Sequence, residues 1–161
     1  KRPSPESAPV HAKAAGLYMI CTLSKHAAEK RGFQDALMLD YRGYLAEATG
    51  ANVFFVDKEG TIHTPIADCF LDGITRRTVI ALAESLQMKV VERHLTLDDL
   101  SEMTECFLTG TAAEVVPIRE LDGRAIGPGS RGPLTEQLQS IYFDTVRGRE
   151  SQYGAWLTPV S

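Results

Sequence analysis

Apolar residues recur at Leu17, Ile20, Cys21, Ala27 and Ala28 with roughly helical spacing, and the pattern closes at Gly32, a favoured residue just past a helix end. The spacing predicts a buried helix over 14–31. The period then shortens. "DALMLD" is a brief apolar run, "GYLAEAT" follows it, and "NVFFVDKEGTIHT" holds two apolar pieces around the turn "DKEG". These segments read as a meander of strands with a hairpin. In "CFLDGITRRTVIALAESLQM" the positions of Ile74, Val79, Leu82, Ala83 and Leu86 return to a helical period, with Gly73 and Thr75 in the first turn.

"KVVERHL" predicts another strand, and "TLDDLSEM" a short helix with Thr96 as its cap and Asp99 three residues on. "ECFLTG", the turn "TAA", the strand "EVVPIREL" and the turn "LDGR" lead to a glycine-rich connector, "GPGSRGP". A last helix, "LTEQLQSIYFDTVRG", follows Pro133, a residue type favoured in a first helical turn. Strands and helices mix without strict alternation and without internal repeats. The class expected is α/β to α+β with a mixed sheet.

The length of 161 residues suits one domain with its own core. Three prolines in the opening "KRPSPESAP" make residues 1–9 read as the remnant of an interdomain linker, with 10–161 as the domain proper. Seventeen basic and 21 acidic residues give a net charge of -4 with no basic block, so nucleic acid is not expected as a partner. The longest apolar run, "AAGLYMICTL", is shorter than the roughly 18 residues of a membrane span, so neither a membrane segment nor a signal peptide is expected. Cys21, Cys69 and Cys106 lack CxxC spacing, and His11, His26, His63 and His94 lack ligand spacing. No disulfide framework or metal is expected, and a reducing cytoplasm fits.

Four segments place polar groups at element ends: "AKAAGLY", "AEATGAN", "LDGITR" and "GTAAEVVP". Lys13 sets a cation ahead of an expected helix N-terminus, whose dipole disfavours it, a position that suits an amine used uncharged. Singly, each segment has an ordinary explanation. Lys13 reads as a solvated surface residue, and Glu47, sharing a strand face with Leu45 and Thr49, as a wet one. "DGIT" reads as a helix cap and "GTAAE" as a turn. Together they are the parts that a pyridoxal phosphate site needs. A phosphate is held by a helix N-terminus and hydroxyls, which Thr75 and Thr111 could supply. A protonated ring nitrogen needs a carboxylate, for which Glu47 is the candidate, and the aldehyde needs a lysine whose amine can be neutral, here Lys13.

With "LAEATGANVFF", "GTAAEVVPI" and "RGPLTEQLQ" added, five motifs stand in one order over about residues 9–148. In these the chain resembles the C-terminal domain of the branched-chain amino-acid aminotransferases, the fold-type IV class of pyridoxal-phosphate enzymes. The resemblance implies a mixed sheet forming a partial barrel with surrounding helices. Lys13 is then similar to the Schiff-base lysine that also moves the substrate proton. Tyr18 is similar to the tyrosine bonded to the cofactor 3-hydroxyl, Glu47 to the ring-nitrogen carboxylate, and Asn52 to a supporting asparagine. Leu71 resembles the residue packed on the ring. Gly73, Ile74, Thr75 and Thr111 resemble the phosphate-binding set, and Ala112, with the Thr111 amide, the receiver of the substrate α-carboxylate.

The activity so implied is ping-pong transamination between branched-chain L-amino acids and 2-oxoglutarate, in a cytoplasmic homodimer or higher homo-oligomer. D-amino-acid transaminases and aminodeoxychorismate lyases share this fold, and a non-catalytic interaction domain is a further alternative. Asp72 stands where many relatives have proline, a change expected to be tolerated. The family's N-terminal domain closes the site, so the 161 residues alone are expected to bind cofactor weakly and to be weakly active or inactive.

Overall fold

In the computed structural model, which describes every residue except 159 and 161, a 3₁₀ turn over Ala15–Tyr18 leads into α1 (Met19–Glu29). Then come β1 (Leu37–Leu39), β2 (Leu45–Ala48), β3 (Asn52–Asp57) and β4 (Ile62–Thr64). α2 (Ile74–Ser85) is followed by β5 (Val90–Glu92), a 3₁₀ turn over Asp98–Glu102, β6 (Met103–Gly110) and β7 (Glu114–Pro117). The small strands β8 (Glu120–Leu121) and β9 (Arg124–Ala125) precede α3 (Pro133–Val146) and a 3₁₀ turn over Ser151–Trp156.

Five strands form one sheet in the order β5-β4-β3-β6-β7, and β1-β2 and β8-β9 form separate pairs. Within the large sheet β4 and β5 run parallel, while its other neighbours are antiparallel, so the sheet is mixed as expected. The period of two along β3 sorts its side chains between two cores. Phe54 and Val56 face α2 and α3, where they join Phe107, Val79, Leu82 and Leu138. Phe54 and Phe107 stack there with ring centroids 5.0 Å apart. Val53 and Phe55 face the other way, into a cluster with Leu45, Leu95, Met103, Cys106 and Ile126. That second core is enclosed because β1 and β2 fold over it: the Leu45 amide donates to the Leu95 carbonyl at 2.7 Å, tying β2 to the segment after β5. The result is the partial barrel that the resemblance implied.

α3 is capped from a distance. Gly132 precedes the helix and has no side chain to offer, and the cap is Glu105 on β6. Its carboxylate accepts from the Leu134 amide at 3.1 Å, the Thr135 amide at 2.8 Å and the Thr135 hydroxyl at 2.7 Å. A negative charge there also meets the positive end of the helix dipole. Gly132 is needed for this approach, since a Cβ at that position would lie 2.1 Å from the Glu105 carboxyl carbon.

Three expectations need correction. The helix over 14–31 is not buried: its first turn is 3₁₀, its α portion buries Cys21 and Ala28, and Met19 and Leu23 are 67% and 70% exposed. Periodicity marks an apolar face without saying what covers it. The segment around Thr96 is 3₁₀ rather than α-helical, although Asp99 does accept from the Thr96 amide and hydroxyl at 2.7 and 2.8 Å. The turn over Ser151–Trp156, absent from the sequence reading, docks Tyr153 in the core with its hydroxyl 2.6 Å from the Ser85 hydroxyl.

Removal of the distant cap is the sharpest test of this packing. Glu105→Ala leaves the α3 N-terminus without acceptors and should cost about 2–3 kcal/mol, read as a lower urea midpoint with an unchanged slope.

Candidate active site

β2 is buried at every position, Glu47 included at 9% exposed, which overturns the expectation of a wet face. One side of the strand is covered by the β1 pairing and the inner core. The other is covered by the first residues of the chain: the Arg2 amide donates to the Leu39 carbonyl at 2.7 Å, and the Arg2 side chain, 4% exposed, runs in beneath the 3₁₀ turn. Its guanidinium donates to the Leu17 carbonyl at 3.1 Å and lies 3.1 Å from the Cys21 sulfur. Arg2 Nε comes within 3.1 Å of Glu47 Oε1, a charge pair in which the N–H is not aligned on the oxygen.

Burial is the largest influence on Glu47 and pushes its carboxyl up to about 7, against the opposing pull of Arg2 and then Lys13. A carboxylate removed from water but flanked by two cations is poised to accept a third positive group. Its other oxygen, Oε2, is 3.5 Å from the Asn52 amide nitrogen, which also donates to the Leu71 carbonyl at 3.0 Å. Asn52 in turn needs Gly73: a Cβ on Gly73 would sit 2.4 Å from Asn52 Oδ1. The glycine in "LDGITR" is thus required by close approach.

Gly73 is also the N-cap of α2, and no side chain caps that end. The "DGIT" segment is therefore not acting as a side-chain cap, and the first amides of the helix face a cavity of about 540 Å³ lined by Lys13, Tyr18, Glu47, Asn52, Thr75 and Thr111 among others. The uncapped N-terminus of a 12-residue helix favours an anion there. Asp72 brings a negative charge to the same loop, but it is bonded to Arg76 at 2.8 Å. Arg76, 2% exposed, further donates to the Pro65 carbonyl at 3.0 Å and pairs with Glu92. The aspartate is thereby neutralised by its own helix.

Lys13 is exposed on the segment before the 3₁₀ turn, with Nζ 5.7 Å from the centre of the Tyr18 ring. The expectation that an α-helix dipole acts on it is corrected, because five residues separate it from the first residue of α1 and its acidic neighbour across the cavity is Glu47. Leu71, Gly73 and Ile74 line the cavity as well, Ile74 being 73% exposed at its mouth. Ala112 does not line it: it is exposed in the turn between β6 and β7.

The family model for amino-transferase class IV matches residues 1–121. The chain belongs to the class IV amino-transferase family. It is 47% identical over 149 residues, 92% of its length, to a branched-chain-amino-acid aminotransferase of Pseudomonas aeruginosa, covering 48% of that protein. To the Salmonella typhimurium enzyme of the same name it is 38% identical over 161 residues, covering 52%. The chain spans about half the length of the curated relatives it matches. Among solved structures it superposes on the branched-chain aminotransferase of the archaeon Thermoproteus uzoniensis with norvaline with a TM-score of 0.94 and 40% identity, over 100% of this chain and 53% of that one. The Thermobaculum terrenum branched-chain amino acid aminotransferase in its PLP form gives 0.95 and 40% over all of this chain and 53% of that one.

One buried participant in this class IV site, Arg2, escaped the sequence reading. It sits in the proline-containing opening that composition marks as a linker, and a lone arginine beside a charged N-terminal lysine carries no periodic signal.

Two outcomes test the arrangement. Gly73→Ala should displace the Asn52 amide from the Leu71 carbonyl, seen as a shift of its side-chain ¹⁵N–¹H resonances, and cost about 1–3 kcal/mol. The folded pKa of Glu47 lies above its unfolded value, so the ligand-free protein should lose stability as pH rises from about 4.5 to about 7. Denaturation at stepped pH should show that slope flattened in Glu47→Gln.

Proposed function

We propose that this chain is the cofactor-bearing part of an enzyme that transfers amino groups between branched-chain L-amino acids and 2-oxoglutarate, with pyridoxal 5'-phosphate as cofactor and Lys13 as the Schiff-base lysine. The observation that carries the reading is convergence. An amine at Lys13, a buried acid at Glu47 and an uncapped helix N-terminus with Thr75 reach one cavity from three parts of the chain. Its volume falls in the range of small-molecule sites, about 300–1,000 Å³. The names of the matched relatives support the amino-acid class.

When bound, pyridoxal phosphate supplies an electron sink for the carbanion formed at the amino acid α-carbon. The roles of the chain's own residues follow from their chemistry. The Ile74 and Thr75 amides at the α2 N-terminus and the Thr75 hydroxyl would hold the phosphate, with Thr111 on the β6–β7 turn as a further ligand. Glu47 holds a proton on the ring nitrogen by offering a buried negative charge, and Asn52 fixes that carboxylate by bonding it from the adjacent strand. Tyr18 offers its hydroxyl to the ring substituents, and Leu71 covers a ring face. Lys13 Nζ takes the proton from the substrate α-carbon and returns it on the other side of the reaction, general-base and then general-acid work by one amine. Overall the amino group would pass to the bound cofactor as the amino acid leaves as its 2-oxo acid with one water consumed, and from there to 2-oxoglutarate, which would leave as glutamate with one water released.

The rim of the cavity bears Ile74, with Met19 and Leu23 exposed on α1, which supports a working enzyme that covers this side with further protein; a homodimer or higher homo-oligomer is part of the same proposal. The test uses the complete protein. Borohydride reduction in the presence of pyridoxal phosphate should leave a mass adduct on Lys13. Lys13→Ala should lose the adduct and lower L-leucine:2-oxoglutarate transamination at least about 100-fold. An unmodified Lys13, or D-alanine preferred over L-leucine and L-valine, refutes the assignment.

A further inference from the structure

We propose that the hydroxyl of Thr109, a residue outside the set described above, is a further ligand of the cofactor's phosphate monoester, donating a hydrogen bond to a phosphate oxygen. The proposal rests on the reading of the cavity as a pyridoxal phosphate site. Thr109 is 0% exposed, and its Oγ1 has no hydrogen-bond partner in the protein. Among the described residues four buried side-chain atoms share that condition: Arg2 Nε, Arg76 Nε, Thr109 Oγ1 and Thr145 Oγ1. The two arginines bond through their other nitrogens, and Thr145 lies at the far end of α3. Thr109 is the one hydroxyl of the four in a residue that lines the cavity.

Its direction follows from the sheet. Thr109 pairs directly with Asn52 across β6 and β3, and residues opposite each other in an antiparallel pair send their side chains to the same face. Asn52 Oδ1 lies against Gly73, the N-cap of α2, so the face shared by Asn52 and Thr109 is the one presented to the uncapped helix end. Phe107, two residues earlier on β6, packs among the residues of α2 and α3, which fixes the same face independently. A hydroxyl buried with nothing to bond is destabilising. An anion held by the amides of Ile74 and Thr75 supplies the missing acceptor. Valine, nearly isosteric and apolar, would do better than threonine here if packing were the only requirement.

The experiment compares two ligands that differ only in the phosphate. Dissociation constants for pyridoxal 5'-phosphate and for pyridoxal are measured by absorbance titration of the complete protein, as wild type, Thr109→Val and Thr109→Ser. Thr109→Val should weaken pyridoxal phosphate about 5- to 30-fold, with pyridoxal affinity unchanged and Thr109→Ser retaining the wild-type values. The ligand-free Thr109→Val protein should melt no lower than wild type, because it loses an unpartnered hydroxyl. Equal weakening of both ligands, or of neither, overturns the role of Thr109 and leaves the transaminase reading standing. Wild-type protein that does not prefer pyridoxal phosphate over pyridoxal overturns that reading and this one with it. If Thr109→Val fails to fold, wild-type values for both ligands in Thr109→Ala overturn the proposal, and selective loss of pyridoxal phosphate supports it.

Discussion

A carboxylate taken out of water must be balanced, and in this molecule the balance at Glu47 organises the elements around it. Burial alone drives its proton affinity up. What pulls it back toward the charged form is the buried guanidinium of Arg2. The pair joins the first residues of the chain to β2, and through the Leu17 carbonyl it also pins the 3₁₀ turn that carries Tyr18. A segment with three prolines and no helix or strand is thus tied to β1 and β2 through Arg2.

From that pair outward, one contact enforces the next. Asn52 bonds the free oxygen of Glu47 and the Leu71 carbonyl, so the acid and the loop before α2 share a common anchor. Gly73 lets the asparagine reach by having no Cβ, and the same glycine leaves the helix end without a side-chain cap. Arg76 holds the loop from beneath by bonding Asp72, Pro65 and Glu92. The Asp72 carboxylate is paired with Arg76 one helical turn away. The acid end and the anion end of the cavity are therefore fixed relative to each other by side chains of β2, β3 and α2.

Elements with their own period were legible in the sequence: the hairpin of β3 and β4, α2 up to its glycine, and α3 after Pro133. Lys13, Glu47 and Thr75 could be singled out because their residue types fit one chemistry, and they do meet in one cavity. What was illegible depends on partners distant in sequence. Glu47 alternates in the sequence as a half-exposed strand residue should, but the pairing of β2 is irregular between Leu45 and Glu47, and Arg2, 45 positions away, lies against the carboxylate. The exposure of Met19 and Leu23 is the converse case, an apolar stripe for which the described residues provide no cover. Glu105 caps a helix 29 residues downstream of it, and no local pattern announces a cap of that kind.

The side chains around the cavity divide into rigid and free groups. Groups that bind must not move, and those in the cavity wall, Glu47, Asn52 and Thr75, are buried on strands or in the first turn of a helix. A group with room to move can reach more than one atom. Lys13 stands on an exposed stretch without regular structure, held by the Ala12 amide bonded to the Pro9 carbonyl on one side and the Leu17 amide bonded to the Ala14 carbonyl on the other. Its backbone is anchored at both ends while four methylenes and an amine remain free to swing. A lysine fixed by a neighbouring carboxylate would lose that range, and the charge of Glu47 reaches Lys13 across the cavity without a bonded contact. Among the described residues Glu47 therefore has a close charge pair with Arg2 and none with Lys13.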